Sequence, residues 1–555
     1  MVKIGLEIHQ RVKGHKLFCN CPGVQDDKID GIFKRFLYPT FSEHGKIDIA
    51  AIFEKNKNKI YTYQYNHKTS CLVEMDEEPP HEINKHALTV ALSIAIQMNM
   101  RLIDKPIVMR KIVIDGSNTS GFQRTVLLGV DGHINNIPIQ TLCLEEESAG
   151  IVNENDNEKT YRIDRLGIPL IEIATAPIIK SGKEAKEIAL EIGKMLRATN
   201  QMARGIGTIR QDLNVSIENG ARVEIKGAQE LNMIEKWVDN EIKRQKILLD
   251  IIEELKKRNA YEQLTFKPID VSECVGKPAY AVELPGFEGL LGKEVSPNRR
   301  FGSELADYAR KAGVKGLIHS DEDLSKYGID ISCIKKKLNN AFMIVFGKNA
   351  IKALELAFQR AKMDYIPEET RKALPNGSTS FMRPISSSAR MYPETDLDFV
   401  DINSVLEKSE EMAKKGYFYK KELLYKLLNK EMAERMILCK YLNIFEKMYK
   451  TIDPKILSTF LCDHIRYLKR KDIHPNEKQI LEALNLFKNN YITKKALPIA
   501  LELIVKGERL DSIKKIEKDE LIKIVREIKD IKEIMKRYGV RVDAKEVKEI
   551  LSNLP

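Results

Sequence analysis

The chain is 555 residues long, 43% hydrophobic and 31% charged, with 91 Lys+Arg against 80 Asp+Glu and a net charge of +11. This is a globular composition, and the length predicts roughly three or four domains. No apolar run reaches membrane-spanning length, and Met1-Val2-Lys3 leads into a strand pattern instead of a signal peptide, which predicts a soluble, cytoplasmic protein. Eight cysteines are scattered, several of them singly in apolar runs (Cys143, Cys439, Cys462), and predict reduced thiols and no disulfide framework.

In chain order, Ile4–Gln10 alternates as a strand, with Leu6 and Ile8 on one face and Glu7 and His9 on the other. Strands are predicted over 47–53, 107–114 and 223–225, and helices over 84–100, 182–200 and 229–258. In the last helix Met233, Ile234, Trp237, Val238, Ile242 and Ile247 form a core-facing stripe. Between these lie the acidic cluster Glu145-Glu146-Glu147 and the strand-like run Ile168–Ile173, in which Glu172 opposes Ile171 and Ile173. Carboxylates in such apolar runs are costly to bury unless a cation meets them, and a hard divalent ion suits oxygen donors. A single strand Glu is more often a solvated face residue, so convergence of these acids is an expectation.

From about residue 276 the pattern changes: a turn-rich stretch (283–289), a helix (303–312), strands over 316–320 and 341–346, and a helix (350–361) predict a compact α+β unit. Residues 375–384 read as loop, and after Pro393 the chain reads as almost wholly helical. Residues 401–500 hold 20 Lys+Arg against 13 Asp+Glu, most of the net surplus. Arg466, Lys469, Arg470 and Lys471, on a helix with Tyr467, make a basic patch that suits nucleic acid and equally suits a solvated face. No Walker lysine loop, kinase signature, Gly-x-Ser-x-Gly elbow or Cys–His nucleophile arrangement is present.

Several strings then fall into one pattern: IGLEIHQ (4–10), LFCNC (17–21), CLVEMDEEPP (71–80), DGSNTSGFQRT (115–125), LEEESAG (144–150), DRLGIPLIEIATAP (164–177), GTIRQDLNVS (207–216), VEIKGAQEL (223–231) and LPNGSTSFMRPISSSARMYPETD (374–396). Together they resemble the B/E family of tRNA-dependent amidotransferases over the chain to about residue 500, and its archaeal E branch most closely. The string RRFGSELADYARKAGVKGLIHSDE (299–322) resembles the insertion domain shared with bacterial aspartyl-tRNA synthetases, which marks that branch, and the ending RVDAKEVKEILSNLP matches the family's tail.

The resemblance implies an α+β fold: a mixed cradle domain (1–275), an insertion domain (276–380), a return segment (381–400), a helical domain (401–490) and a tail domain (491–555). It implies a reaction in which glutamate misacylated on tRNA(Gln) is phosphorylated with ATP and the phosphate displaced by ammonia from an asparaginase-like partner protein, GatD. By match to the family, Glu7, His9, Glu147 and Glu172 would hold Mg²⁺. Asp212 and Asn214 would contact metal or ATP, and Arg165, Arg210 and Lys226 would offset phosphate charge. Ser117, Asn118, Thr119 and Ser120 would read the aminoacyl end, with Phe122 stacking a base. Cys19, Cys21 and Cys71, with His67 nearby, fit either a structural zinc site or packed reduced thiols. One other reading stays open, a non-catalytic tRNA-binding scaffold, while the insertion domain disfavours a bacterial GatB-type protein acting with an amidase.

Overall fold

The computed structural model describes all residues except His44, Asp156, Ser387, Leu554 and Pro555. Parts of the strings 374–396 and 541–555 therefore lie outside the described residues. The fold is mixed α and β, with an almost wholly helical C-terminal part, and it resolves into two units: residues 1–193 with 201–414, and residues 194–200 with 415–555.

The first unit is built on a large, almost wholly antiparallel sheet, whose main strands are labelled here in chain order. They are β1 (Lys3–Arg11), β2 (Val108–Ile112), β3 (Phe122–Ile134), β4 (Ile137–Glu146), β5 (Pro169–Thr175), β6 (Ile209–Ser216), β7 (Val223–Lys226), β8 (Glu369–Ala373), β9 (Thr379–Pro384) and β10 (Met391–Pro393). The spatial order is β9-β8-β7-β6-β1-β5-β4-β3-β2-β10, with the short strand Arg101–Leu102 also on β3. Among the described strands of this sheet, only β7 and β8 run parallel.

Strand alternation gives this sheet two unlike faces. Leu6, Ile8, Leu142, Leu144, Ile171, Ile173, Leu213 and Val215 are buried on one, where the helix Lys85–Gln97 packs on β3 and β4. The other carries Glu7, His9, Lys111, Glu145, Glu172, Asp212 and Lys226. Register aligns them: His9 lies between Glu172 and Arg210, and Glu7 between Ala174 and Asp212.

Two four-stranded sheets and a small hairpin, Glu294–Ser296 with Arg299–Arg300, complete the unit. One of the sheets is ordered Gly31–Arg35, Ile60–Tyr65, Glu158–Arg162, Gly150–Glu154, over a small aromatic core of Tyr61, Tyr63 and Tyr161. The other sheet is ordered Ile269–Asp270, Ala279–Glu283, Phe342–Phe346, Ile318–His319. Phe287, Phe301, Leu305, Leu354 and Phe358 form a core beside it with the helix Ile234–Lys257. A buried charge network joins this region to β8. Glu304 accepts from Arg244 at 2.8 Å and from Arg371 at 2.7 Å, and Arg371 also meets Glu369 at 2.7 Å.

Three expectations need correction. The segment 47–53 is the helix Ile49–Lys55, started by Asp48, whose side chain accepts from Ala51 N–H. The 375–384 loop holds strand β9, which pairs with β8. Cys274 and Cys333 form a disulfide, and the other six cysteines are outside any disulfide. In the second unit a succession of short helices from Tyr417 onward includes a π-helical turn, Phe460–His464, that leads into the helix Ile465–Arg470. Among the described residues, no helix is long and apolar enough to cross a membrane.

Candidate active site

The polar face of the large sheet floors a cleft of about 370 Å³. At its centre His9 Nε2 lies 3.2 Å from Glu172 Oε2, 3.3 Å from Glu7 Oε1 and 3.5 Å from Glu145 Oε1. Lys111 Nζ reaches Glu145 at 2.7 Å and Glu172 at 3.3 Å. Three carboxylates thus meet one lysine and one imidazole. Burial alone would lower the His9 pKa, but its hydrogen bonds to Glu172 and Glu7 hold it well above the usual range. Burial pushes Glu145 up, against Lys111. It would do the same to Glu172, but Lys111 and His9 hold that carboxyl well below the usual range. Two acids sharing one lysine are thereby driven apart in acidity.

Ligand atoms of Glu7, His9 and Glu172 lie within 4.8 Å of one another, a donor set of two carboxylates and one imidazole. Hard oxygen donors with a surplus of negative charge fit a divalent cation, which would take over the charge balance that the His9 proton otherwise supplies.

Glu147 is not in this cluster. It lies just past the end of β4, where the backbone turns to bond Ile168 and Gly167. Its fully buried carboxylate accepts from Arg11 Nε at 2.8 Å and Arg210 Nη2 at 2.6 Å, with Arg165 Nε at 4.0 Å. Burial would raise its pKa, but Arg210, Arg165 and Arg11 outweigh that and lower it. Glu147 therefore anchors arginines, and of these Arg165 and Arg210 line the cleft.

Asp212 and Lys226 also line the cleft, joined at 2.8 Å, and Lys226 meets Glu224 at 2.8 Å. Asn214, opposite Gly5 and Glu224 in register, is not among the lining residues. Of the polar loop, Ser117 lines the cleft. Asn118 is buried, with Nδ2 donating to Ser117 Oγ at 3.3 Å. Thr119 is buried and donates to the Glu74 carbonyl at 2.6 Å, while Ser120 donates to the Phe122 carbonyl at 3.0 Å. Phe122 falls on the other face of β3, where Arg110 lies 4.6 Å and Arg124 5.1 Å from its ring centre. Its ring is already engaged by two guanidinium groups, and strand alternation turns it away from the cleft.

Sequence reasoning missed Lys111, Glu145, Arg383 and Arg390, all lining the cleft. Glu145 was visible in the acidic cluster, two residues before Glu147, and Lys111 sat in the strand pattern of 107–114.

Cys19, Cys21 and Cys71 converge with Glu74, their ligand atoms within 4.8 Å of one another. Cys19 Sγ lies 2.9 Å from Glu74 Oε1, and the buried Lys16 Nζ 3.7 Å from Glu74 Oε2. The fourth donor is thus Glu74. His67 packs edge-on against Tyr65 at 5.2 Å and is outside the group.

In the second unit Arg466, Arg470 and Lys471 are exposed and Lys469 half-buried. Lys471 lies over the Tyr467 ring at 4.7 Å and Lys469 over Tyr441 at 5.3 Å.

With this geometry in place, comparison with known proteins decides the family. Residues 2–408 match the GatB/GatE catalytic domain. The chain belongs to the GatB/GatE family. It is similar to the GatE protein of glutamyl-tRNA(Gln) amidotransferase from Methanocaldococcus jannaschii, at 45% identity over 87% of this chain and 82% of that protein. It is also similar to the corresponding proteins of Sulfurisphaera tokodaii, at 43%, and Methanococcus maripaludis strain S2, at 41%, each over 93% of this chain and 88% of the relative. As a GatB/GatE member it is a tRNA-dependent amidotransferase of the ligase type, and the whole cleft falls inside the matched catalytic domain.

Proposed function

We propose that the cleft converts Glu-tRNA(Gln) to Gln-tRNA(Gln), using ATP to activate the glutamyl γ-carboxylate and ammonia delivered by an asparaginase-like partner, GatD. The observation that carries this reading is the meeting of Glu7, His9 and Glu172 beside Lys111, Arg165 and Arg210 in one cleft. Glu7, His9 and Glu172 would hold Mg²⁺, which when bound neutralises phosphate charge. Lys111, Arg165 and Arg210 present fixed positive charge to the transferring phosphoryl group. Glu147 keeps Arg210 and Arg165 aimed at the cleft, and Ser117 sits where the aminoacyl end would enter.

The test is amidation of Glu-tRNA(Gln) by the purified chain with ATP and ammonium chloride, alongside isotopically labelled glutamine or asparagine. Amide formation from ammonium, and no labelled ammonia released without a partner, is expected. ATP-independent tRNA binding without amidation would instead support the scaffold reading.

The tRNA body would be gripped through phosphates by the second unit. Replacing Arg466, Lys469, Arg470 and Lys471 by Ala is expected to weaken binding and to flatten the log–log salt dependence by about one unit per lost phosphate contact. An unchanged slope would remove this patch as the site.

Three sulfurs with one carboxylate fit a four-coordinate structural zinc. Elemental analysis is expected to find one zinc per chain that is lost in Cys71→Ser, together with a lowered melting temperature. Metal-free protein of unchanged stability would leave the group as packed thiols.

A further inference from the structure

In the second unit two thiols, neither of them among the residues that line the cleft, lie side by side. Cys439 follows the helix Lys430–Ile437, and Cys462 sits on the π-helical turn Phe460–His464. Cys439 Sγ is 3.7 Å from the carbonyl oxygen of Leu461, the residue before Cys462. Cys462 Sγ is 3.7 Å from Met436 Sδ, three residues before Cys439. Each sulfur is therefore fixed against the other's chain segment, which sets the two thiols beside each other. Cys462 is buried and Cys439 half-buried, so Cys439 is the residue that a small molecule meets first. Short π-turns are rare and recur at functional positions.

We propose that Cys439 and Cys462 are an oxidisable dithiol that closes to a disulfide by exchange with a small-molecule disulfide. Cys439 attacks one sulfur of the small disulfide, and a small thiol leaves with the proton. Cys462 Sγ then attacks Cys439 Sγ in the mixed disulfide, expelling the second small thiol. Two protein thiols become one S–S bond, and the small disulfide is reduced to two thiols. Cys439 is the less buried of the two residues, and the neighbouring Cys439 thiol and burial both push the Cys462 thiol up, which together assign the attack to Cys439 and the resolving step to Cys462. The bond closes a loop of roughly two dozen residues. It fastens the turn that starts the helix Ile465–Arg470 to the segment carrying Tyr441, over whose ring Lys469 lies.

The full-length protein, treated with glutathione disulfide, is alkylated with iodoacetamide under denaturing conditions and its peptides are mapped by mass spectrometry. A cross-linked pair containing Cys439 and Cys462, released by dithiothreitol, is the expected result. After the same oxidation, wild type is expected to melt roughly 5–10 °C above Cys439→Ser. Alkylation of both cysteines after oxidation, or a separate glutathione on each, would overturn the proposal, and the wild-type peptide map decides this even if the variant folds poorly.

Discussion

Glu172→Gln is expected to lower amidation of Glu-tRNA(Gln) by roughly 10²–10³-fold or more while leaving tRNA affinity within about threefold. The substitution keeps the shape of the side chain and removes its charge from the group formed with Glu7 and His9. The fold should survive, because Lys111 keeps Glu145 as a partner at 2.7 Å and the apolar face of β5 is untouched. Steady-state amidation with ammonium chloride, read beside a filter-binding curve for tRNA, separates the two effects. Activity within tenfold of wild type would mean that Glu172 is not needed for the chemistry and that the cleft's centre lies elsewhere.

A different outcome is expected at Glu147. Glu147→Ala leaves Arg11 and Arg210 without their shared carboxylate in a buried setting, with Arg165 close by. Breaking one side of a buried ion cluster costs about 3–5 kcal/mol, and denaturant unfolding should show a loss of that order. The pH dependence has a defined sign. Burial opposes ionisation of Glu147, but the three arginines hold its folded pKa below the ordinary 4.5. Its contribution is therefore fully present above about 4.5 and is lost as pH falls through the lower folded value. The difference in stability between wild type and Glu147→Ala should accordingly narrow on acidification. A variant as stable as wild type at neutral pH would show that the arginines find other partners.

The contrast between these two glutamates marks what was legible in the sequence. Alternation in Ile4–Gln10 places Glu7 and His9 on one face, and the same rule places Glu172, because a strand's period fixes direction locally. The rule fails where the strand ends. Glu145 and Glu147 look alike in the run 145–147, yet one stays on β4 and faces His9 while the other turns toward the arginines. Phe122 was readable as a stacking residue only while its place on β3 was unknown. The helix 49–55 was missed because Asp48 supplies a cap that outweighs a β-like apolar run. Strand β9 was missed because pairing with β8, not local propensity, makes it a strand. In the helix Ile234–Lys257 the apolar stripe of Ile234, Trp237 and Val238 was visible, but its buried continuation through Glu241, Arg244 and Gln245 was not. Those polar residues are buried through bonds to one another and to Glu304, and Glu304 is supplied by distant sequence. The Cys274–Cys333 bond, spanning a separation of 59 residues, is equally a product of tertiary structure.

The large sheet has a further consequence for the order in which the protein can be made. Its two flanks are finished by strands that come late in the chain: β8 and β9 beside β7 at one side, and β10 beside β2 at the other. Between β7 and β8 the chain leaves to build the sheet that contains Phe342–Phe346. During synthesis, then, the first seven strands emerge with open backbone edges at both β7 and β2, the condition that favours unwanted strand pairing. Arg383 and Arg390, which line the cleft, arrive with the closing strands or just between them. The nascent chain thus acquires its full set of sheet strands and a complete cleft together, once residue 393 has cleared the ribosome, and no shorter N-terminal product carries both.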